Sequence, residues 1–323
     1  MYIHVLLNSI ITGIITKSTG ALYLVQGDDG YVYSARIKGA FKAKGIRTTN
    51  PVAIGDRVVI ELPSERHADN IYWITEILPR KNYIIRRASN LSKEAQIIGA
   101  NLDRCVLIVT ANYPFTSTTF IDRFLTTAEA YSVPATLVFN KVDRYNTQDL
   151  KYYHELKSLY RQIGYACFGI SAINKTGLNE IAEHLSTGIS LLSGHSGVGK
   201  STLINALVPD ANLRTGTISD AHQTGTHTTT YSEMIPYAGG YLIDTPGIRG
   251  FGAVDFEEHE VCHFFPELFE FSKGCRFSNC SHTHEPGCNV LRALTTGEIA
   301  ESRYKSYLSL LHEDKESKYR TPF

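Results

Sequence analysis

A glycine-rich octapeptide near the middle of the 323-residue chain restricts the possible folds more than any other feature. Residues 194–201 (GHSGVGKS) follow the apolar run 189–192 and precede a predicted helix over 202–207. Strand, glycine loop and helix form the context of a phosphate-binding loop, in which backbone N–H groups at a helix amino terminus surround a phosphate. The residues predicted to contact nucleotide are Gly194, His195, Ser196, Gly197, Val198, Gly199, Lys200, Ser201 and Thr202. Lys200 would reach the β- and γ-phosphates, and Ser201 would bind Mg²⁺.

A second motif, upstream of this loop, indicates which base the site recognises. Residues 140–143 (NKVD) follow an apolar strand-like run. The Asp143 carboxylate can accept hydrogen bonds from N1–H and from the exocyclic amine of guanine, a pair of donors that adenine does not offer. Asn140 would tie this loop to the phosphate-binding loop, and the Lys141 stem would cover the base. The remaining predicted base contacts are Ser171 and Ala172.

Two motifs downstream of the loop are typical of GTPase switch segments. The sequence DTPG that begins at Asp244 supplies a carboxylate for the Mg²⁺ shell, and its Gly247 N–H would bind the γ-phosphate. The first switch is predicted at 225–230 (GTHTTT), where Thr229, with Thr228 as the alternative, would close on Mg²⁺. A threonine-rich β-strand is the competing interpretation of this segment.

The order of these motifs differs from that of an ordinary small GTPase, in which the phosphate-binding loop and both switches come first. Here the base-recognising motifs at 140–143 and 171–172 precede the loop. Apolar runs alternate with helical stretches from about residue 105, which predicts a mostly parallel sheet covered by helices. We therefore predict a circularly permuted α/β P-loop GTPase domain over 86–252, because such a fold survives a cut where the old termini lie close together.

The residue after the Asp-x-x-Gly glycine bears on the rate of hydrolysis. A glutamine that orients the attacking water is common there, but this chain has Ile248, which cannot form that hydrogen bond. His227 and Asp255 are the candidate catalytic residues that would position water, and a structural role is the alternative for His227. A partner or a monovalent cation would otherwise organise the site. We therefore expect slow intrinsic hydrolysis that a partner stimulates.

Three cysteines and one histidine are clustered near the carboxyl end, within a segment of 14 residues. They are Cys275, Cys280, His282 and Cys288. This is the donor set of a closed tetrahedral zinc site, which has no open position for catalysis. His284 is the alternative to His282, and Cys262-His263 is a more distant candidate pair. We predict one structural Zn²⁺ in a mostly helical domain over 253–323.

The amino-terminal part combines short β-rich runs with a positive charge. Five runs between about residues 11 and 85 predict a small barrel of the OB type, with an SH3-like barrel as the alternative. Residues 1–98 hold 13 Lys/Arg and 8 Asp/Glu, whereas the rest holds 19 and 24. The asymmetry is consistent with a polyanion as the partner of a barrel over 1–85, with a solvated basic face as an equal alternative. Candidate phosphate contacts are Arg36, Lys38, Lys42, Lys44, Arg47, Arg80, Lys81, Arg86 and Arg87.

These motifs in this order, together with the sequence CRFSNCSH at 275–282, resemble the RsgA family of circularly permuted, ribosome small subunit-dependent GTPases. The resemblance covers nearly the whole chain. It implies an OB barrel, a permuted GTPase domain and a zinc domain that bind 16S rRNA and act late in 30S subunit maturation. It further implies that the subunit stimulates hydrolysis of GTP to GDP, after which the protein leaves. The family often carries a histidine soon after the second switch, where this sequence has Asp255.

The competing function is a GTP-gated RNA- or ribosome-binding switch with negligible turnover, which Ile248 fits equally well. The composition, with 43% apolar and 20% charged residues, is that of a folded soluble protein. No segment approaches the roughly 20 apolar residues of a membrane-spanning helix. We therefore expect a cytoplasmic protein that has no membrane partner and is a monomer.

Overall fold

The computed structural model describes residues 10–38, 51–61, 71–87, 95–213, 233–244 and 257–317. Along the chain these residues form a β-barrel, then a six-stranded sheet with helices, and then a helical module. This is the order that the sequence predicts. In the part of the chain that is described, no helix combines the length and the apolar character needed to cross a membrane.

The amino-terminal barrel is a closed five-stranded sheet with the strand order β1-β2-β3-β5-β4. β3 and β5 pair in parallel, and the other neighbours are antiparallel. Alternate side chains point inward, so that Ile15, Val25, Ala35, Ile60 and Ile74 are buried. This strand order is that of an OB barrel and not of the SH3-like alternative. The strands are β1 (Ile11–Ser18), β2 (Tyr23–Gly27), β3 (Val32–Ile37), β4 (Arg57–Glu61) and β5 (Tyr72–Ile77).

A hairpin and a shielded ion pair follow the barrel. The hairpin pairs β6 (Tyr83–Arg87) with β7 (Ala95–Ala100), and the predicted boundary between residues 85 and 86 falls inside β6. This hairpin was not predicted, because the intervening residues 88–94 are mostly polar and contain no glycine or proline turn signal. Arg80 Nε donates to Asp56 Oδ1 at 2.6 Å, and the Arg80 side chain is only 13% exposed. Arg80 therefore stabilises the connection to the barrel through Asp56, whereas the sequence predicted that Arg80 contacts phosphate.

The central sheet has the strand order β10-β9-β8-β11-β13-β12, in which only β12 is antiparallel to its neighbour. Its inner strands are almost continuously buried, as helices on both faces of a parallel sheet require. The strands are β8 (Arg104–Val109), β9 (Ala135–Phe139), β10 (Ala166–Gly169), β11 (Thr187–Gly194), β12 (Met234–Tyr237) and β13 (Gly239–Asp244).

The helices of this sheet start and stop at recognisable capping residues. Ser117 caps α1, and Asn146 forms a capping box with Asp149 at the start of α2. Gly164, at φ 117°, ends α2 in the left-handed conformation that favours glycine. The helices are α1 (Thr118–Ala130), α2 (Thr147–Ile163), α3 (Leu178–His184) and α4 (Lys200–Leu207).

The carboxy-terminal module is built from α5 (Pro266–Ser272), α6 (Asn289–Thr295) and α7 (Glu301–Ser317). A 3-10 turn over Val261–Phe264 precedes them. Phe265 is among the apolar residues buried between these elements. The module is therefore mostly helical, as predicted.

A buried ion-pair network fixes this module to the central domain. Arg303 of α7 has no exposed surface, and its Nη1 donates to Asp122 Oδ1 of α1 at 2.7 Å. Arg303 Nε donates to Glu267 Oε1 of α5 at 2.6 Å, and the Tyr160 hydroxyl donates to Asp122 Oδ1 at 2.7 Å. Burial disfavours the Arg303 cation, but the two carboxylates outweigh burial and raise its pKa. One cation thus joins α1, α5 and α7. We call Asp122, Tyr160, Glu267 and Arg303 the α1–α7 ion network.

Candidate nucleotide site and metal centre

The glycine-rich loop lies where the strand order of the central sheet reverses. β11 has β8 on one side and β13 on the other, and the chain runs outward from β8 to one edge before it returns to β11. The carboxyl ends of parallel strands at such a reversal form the usual ligand crevice of an open α/β sheet. The loop begins at Gly194, the last residue of β11, and α4 begins at Lys200. Its backbone N–H groups are therefore available at a helix amino terminus.

Both the backbone conformation and the available space require glycine at position 199, the last residue before α4. Gly199 has a φ of 94°, and a Cβ there would lie 2.4 Å from Asn140 Nδ2. The loop therefore touches the first residue of the base-recognising motif directly. Asn140 is buried, its Nδ2 donates to the Val198 carbonyl at 2.8 Å, and its Oδ1 accepts from Ala172 N at 3.1 Å. A single asparagine side chain thus joins all three motifs.

Lys141 contacts the glycine-rich loop, and Asp143, two residues further along the chain, is exposed. Lys141 Nζ donates to the Gly197 carbonyl at 2.6 Å and to the Tyr113 carbonyl at 3.0 Å, so that its stem extends beside the loop. Burial and the positive charge of Arg144 lower the pKa of Lys141, whereas the negative charge of Asp143 acts to raise it. Asp143 lies in an exposed 3-10 turn over Val142–Arg144. Its carboxylate is therefore open to a ligand.

The loop lysine and the carboxylate that ends β13 face each other. Lys200 Nζ lies 3.1 Å from Asp244 Oδ1, and their side chains are 12% and 27% exposed. The parallel register that pairs Leu192 with Asp244 brings the carboxylate to the loop. This juxtaposition of a cation and an anion at the crevice fits a Mg²⁺-bound phosphate, because Mg²⁺ takes one or two carboxylates together with phosphate oxygens.

Several residues that support this site were not predicted. The Tyr145 hydroxyl donates to the Asn140 carbonyl at 2.8 Å and accepts from Ala111 N at 2.9 Å. Burial raises the pKa of Tyr145 to about 12, so that it stays protonated and can donate. The ring of Phe120 in α1 contacts that of His195, with centroids 3.7 Å apart and the ring planes tilted by 30°. Neither contact has a sequence signal, because each depends on packing between separate elements.

Part of the predicted site lies outside the described residues. This holds for the first switch motif at 225–230, for the part of the second switch motif that follows Asp244, and for the candidates that would position water. They are His227, Thr228, Thr229, Gly247, Ile248 and Asp255. Ser171 is described and buried, and its Oγ accepts from Asn174 N at 3.1 Å, which shapes the loop that carries Ala172.

The four predicted metal ligands converge in the carboxy-terminal module. One ligand atom from each of Cys275, Cys280, His282 and Cys288 lies within 4.8 Å of the others. Cys275 Sγ and Cys288 Sγ are 3.9 Å apart, close to the edge of about 3.8 Å that 2.3 Å metal–sulfur bonds produce in a tetrahedron. His282 Nδ1 lies 3.6 Å and 3.5 Å from the same two sulfurs. The donor set therefore fits a tetrahedral metal ion.

Hydrogen bonds around these ligands orient them. Asn289 N donates to Cys275 Sγ at 3.3 Å, and Leu291 N donates to Cys288 Sγ at 3.4 Å. The Tyr304 hydroxyl donates to the His282 carbonyl at 2.7 Å. Burial lowers the pKa of His282 and so favours the neutral imidazole that binds metals. His284, the predicted alternative, is exposed and its Nδ1 lies 2.8 Å from Thr283 Oγ1 instead.

The fold and the two sites together define a circularly permuted P-loop GTPase with an amino-terminal OB barrel. The family model for the RsgA GTPase matches residues 77–254, and the one for the RsgA N-terminal domain matches residues 12–68. The chain belongs to the RsgA GTPase family. The predictions of the family, of the fold class and of a GTPase are thereby confirmed.

Curated relatives and solved structures agree with this assignment. A protein of Phocaeicola vulgatus named small ribosomal subunit biogenesis GTPase RsgA is 56% identical over 96% of this chain and 99% of the relative. The same values hold for a protein of that name in Porphyromonas gingivalis. The structure of YjeQ from Thermotoga maritima has 32% identity and a TM-score of 0.75, and covers 94% of this chain and 98% of that one. YloQ, described as a circularly permuted GTPase, has 29% identity and a TM-score of 0.76, with coverage of 99% and 100%.

Proposed function

We propose that this GTPase acts in the late maturation of the 30S ribosomal subunit, binds 16S rRNA, and leaves the subunit when GTP is hydrolysed. The observation that carries the proposal is the 56% identity to a small ribosomal subunit biogenesis GTPase over nearly the full length of both chains. Stimulation of hydrolysis by the subunit is part of the proposal, because Ile248 cannot orient the attacking water. The protein would act as a monomer in the cytoplasm, where the subunit is assembled.

The nucleotide site would use each motif for one part of GTP. Asp143, with Asn140, Lys141, Ser171 and Ala172, would hold guanine. Residues 194–202 would enclose the phosphates, with Lys200 on the β- and γ-phosphates. Mg²⁺, supplied with GTP, would bind through Ser201, Thr229 or Thr228, and Asp244, and would neutralise phosphate charge. Gly247 would donate its N–H to the γ-phosphate.

His227, Asp255 or a group of the ribosomal subunit would position the water that attacks the γ-phosphate. The charge of Asp255 is unfavourable near the γ-phosphate unless a cation compensates for it. A monovalent cation is one way to supply that charge. The slow intrinsic reaction then follows from an incomplete site that the subunit completes.

The remaining proposals concern the zinc site and the RNA contacts. Zinc at Cys275, Cys280, His282 and Cys288 would be structural, because all four positions of a tetrahedron are taken by protein. The domains would be an RNA-binding barrel over 1–85, the permuted GTPase domain over 86–252 and the zinc domain over 253–323. On the barrel, Arg36 and Lys38 are exposed on β3 and just after it, where a phosphate backbone can reach them.

The proposed function is tested by measuring GTP turnover with and without purified 30S subunits. We expect little turnover by the protein alone and a large increase with subunits. Mature 50S subunits provide the control for a nonspecific effect of ribosomal RNA. If GTP-dependent binding to 30S occurred without stimulation, the alternative of a passive GTP-gated switch would be correct. If neither binding nor stimulation occurred, the proposed function would be wrong.

The Asp143→Asn substitution should change the base preference of the site. The new amide keeps one acceptor but places a donor where guanine also presents a donor, so that one hydrogen bond is lost and the other is no longer charge-assisted, and GTP affinity should fall about 100-fold. Xanthosine triphosphate presents an acceptor at that position and should bind better than GTP. Competition with a fluorescent GDP analogue measures both affinities. Asp210→Asn, an exposed change in another 3-10 turn, is the control, and an unchanged preference in Asp143→Asn would contradict the assignment.

The two neighbouring histidines should differ in their effect on the metal. His282→Ala removes a buried donor and should lower the zinc content well below one ion per chain, whereas His284→Ala should retain it. Zinc is measured by atomic emission after dialysis, and circular dichroism checks the fold. Equal zinc content in both variants would contradict the ligand assignment.

A further inference from the structure

A cavity of about 720 Å³ opens beside the metal centre. The 3-10 turn and α5 form one wall of this cavity, and the segment that carries Cys275 and Cys280 forms the other. Its volume is that of a pocket for a small organic group. Since three of the ligands, Cys275, Cys280 and His282, line it, a bound metal would hold this wall in place. None of the nucleotide-site residues that the structure describes lines the cavity.

Two exposed aromatic rings line the cavity, each with a cation beside it. Phe269 and Phe277 are 38% and 41% exposed. Arg276 Cζ lies 5.5 Å from the Phe277 ring centroid, and Lys273 Nζ lies 5.4 Å from the Phe269 ring centroid. An exposed ring next to a cation can stack against a nucleobase while the cation binds the adjoining phosphate.

The two cations differ in their availability. Lys273 Nζ pairs with Glu270 Oε2 at 2.5 Å. Arg276 forms no ion pair within the described residues, and so its guanidinium donors can bind a phosphate. The Arg276 backbone is fixed, because its N–H donates to the Gly287 carbonyl at 3.3 Å. A Cβ at Gly287, which has a φ of 76°, would lie 3.2 Å from Arg276 Cβ.

We propose that this cavity binds one unpaired nucleotide of an RNA strand, with the base against Phe277 and the phosphate on Arg276. Asn279 lines the same cavity and offers amide donors and acceptors to a base edge. An acidic peptide fits less well, because its carboxylates would not use the rings and Glu258 lies on the lining. The inference rests on the proposed RNA partner and names a contact point on it.

The test is photochemical cross-linking of a short single-stranded RNA that contains 4-thiouridine to the zinc-loaded, full-length protein. We expect a cross-linked peptide that includes residues 269–280. Phe277→Ala should abolish that cross-link and weaken binding of the fluorescein-labelled RNA about tenfold, whereas Phe277→Tyr should retain both. Arg276→Gln should reduce the dependence of log affinity on log salt concentration by about 0.7, the value of one single-strand phosphate contact.

Matched controls separate a local contact from a general loss of charge or fold. Lys305→Gln removes a positive charge from α7, where Lys305 pairs with Glu301 and does not line the cavity. Phe115→Ala removes an exposed ring from the central domain. Both should bind RNA like the unaltered protein, and every variant should hold one zinc ion.

The outcomes distinguish this inference from the proposed function. If 30S subunits stimulate the GTPase but every cross-link maps outside residues 269–280, the inference is wrong and the proposed function stands. If residues 269–280 are cross-linked but 30S subunits have no effect, the RNA pocket stands and the proposed function is wrong. A Phe277→Ala variant that keeps the cross-link also overturns the inference.

Discussion

Replacing Arg303 by methionine should lower the free energy of unfolding by about 3–5 kcal/mol. The substitution removes the cation of the α1–α7 ion network and leaves Asp122, which has no exposed surface, without its counter-charge. Glu267 loses a bidentate partner at the same time. Urea unfolding followed by circular dichroism measures the change.

Two further variants separate the buried network from its surroundings. Lys305→Met removes an exposed pair on the same helix, 70% and 74% exposed, and should change stability by less than about 0.5 kcal/mol. Asp122→Asn combined with Arg303→Met removes both buried charges and should recover part of the loss. A loss below about 1 kcal/mol in Arg303→Met would show that the network does not hold the module.

The Lys200→Ala substitution should lower GTP turnover with 30S subunits about 100- to 1,000-fold. The lysine would stabilise charge on the transferred phosphoryl group, and removal of one such preorganised donor has an effect of this size. Asp244 would also lose the cation that now lies 3.1 Å away, and its charge would repel the phosphates. Single-turnover kinetics at saturating GTP measure the chemical step separately from binding.

The matched control for this substitution is Lys151→Ala. Lys151 is 77% exposed on α2 and forms an i,i+4 pair with Glu155 at 4.0 Å. Its loss should leave turnover unchanged. If Lys200→Ala kept more than a tenth of the turnover, the phosphate role of Lys200 would be wrong.

Sequence reasoning succeeded where chemistry is encoded at short, fixed spacing. The glycine loop needs strand, turn and helix in sequence, and the metal donors come from one segment, so that both were readable locally. The apolar runs at 135–139 and 189–192 predicted buried strands, because parallel strands covered on both faces have little polar alternation, and the structure extends the second strand to 187–194.

The features that sequence reasoning missed depend on tertiary packing. Asp122 and Arg303 are 181 residues apart, and each has the appearance of an ordinary surface residue on a helix. Arg80 was interpreted as a phosphate contact, whereas its charge is compensated by Asp56. Composition gives the sign of a charge but does not identify the partner that neutralises it.

The position of α1 has a consequence for work on isolated fragments. Phe120, near its amino end, supports His195 of the loop, and Asp122, two residues later, binds the last helix. A fragment truncated before residue 257 would uncover Asp122 within one helical turn of the contact between Phe120 and His195. The nucleotide affinity measured with such a fragment would then be that of a perturbed phosphate-binding loop. The minimal unit for enzymology is therefore the chain that retains α7, even for reactions in which the carboxy-terminal module touches no reactant.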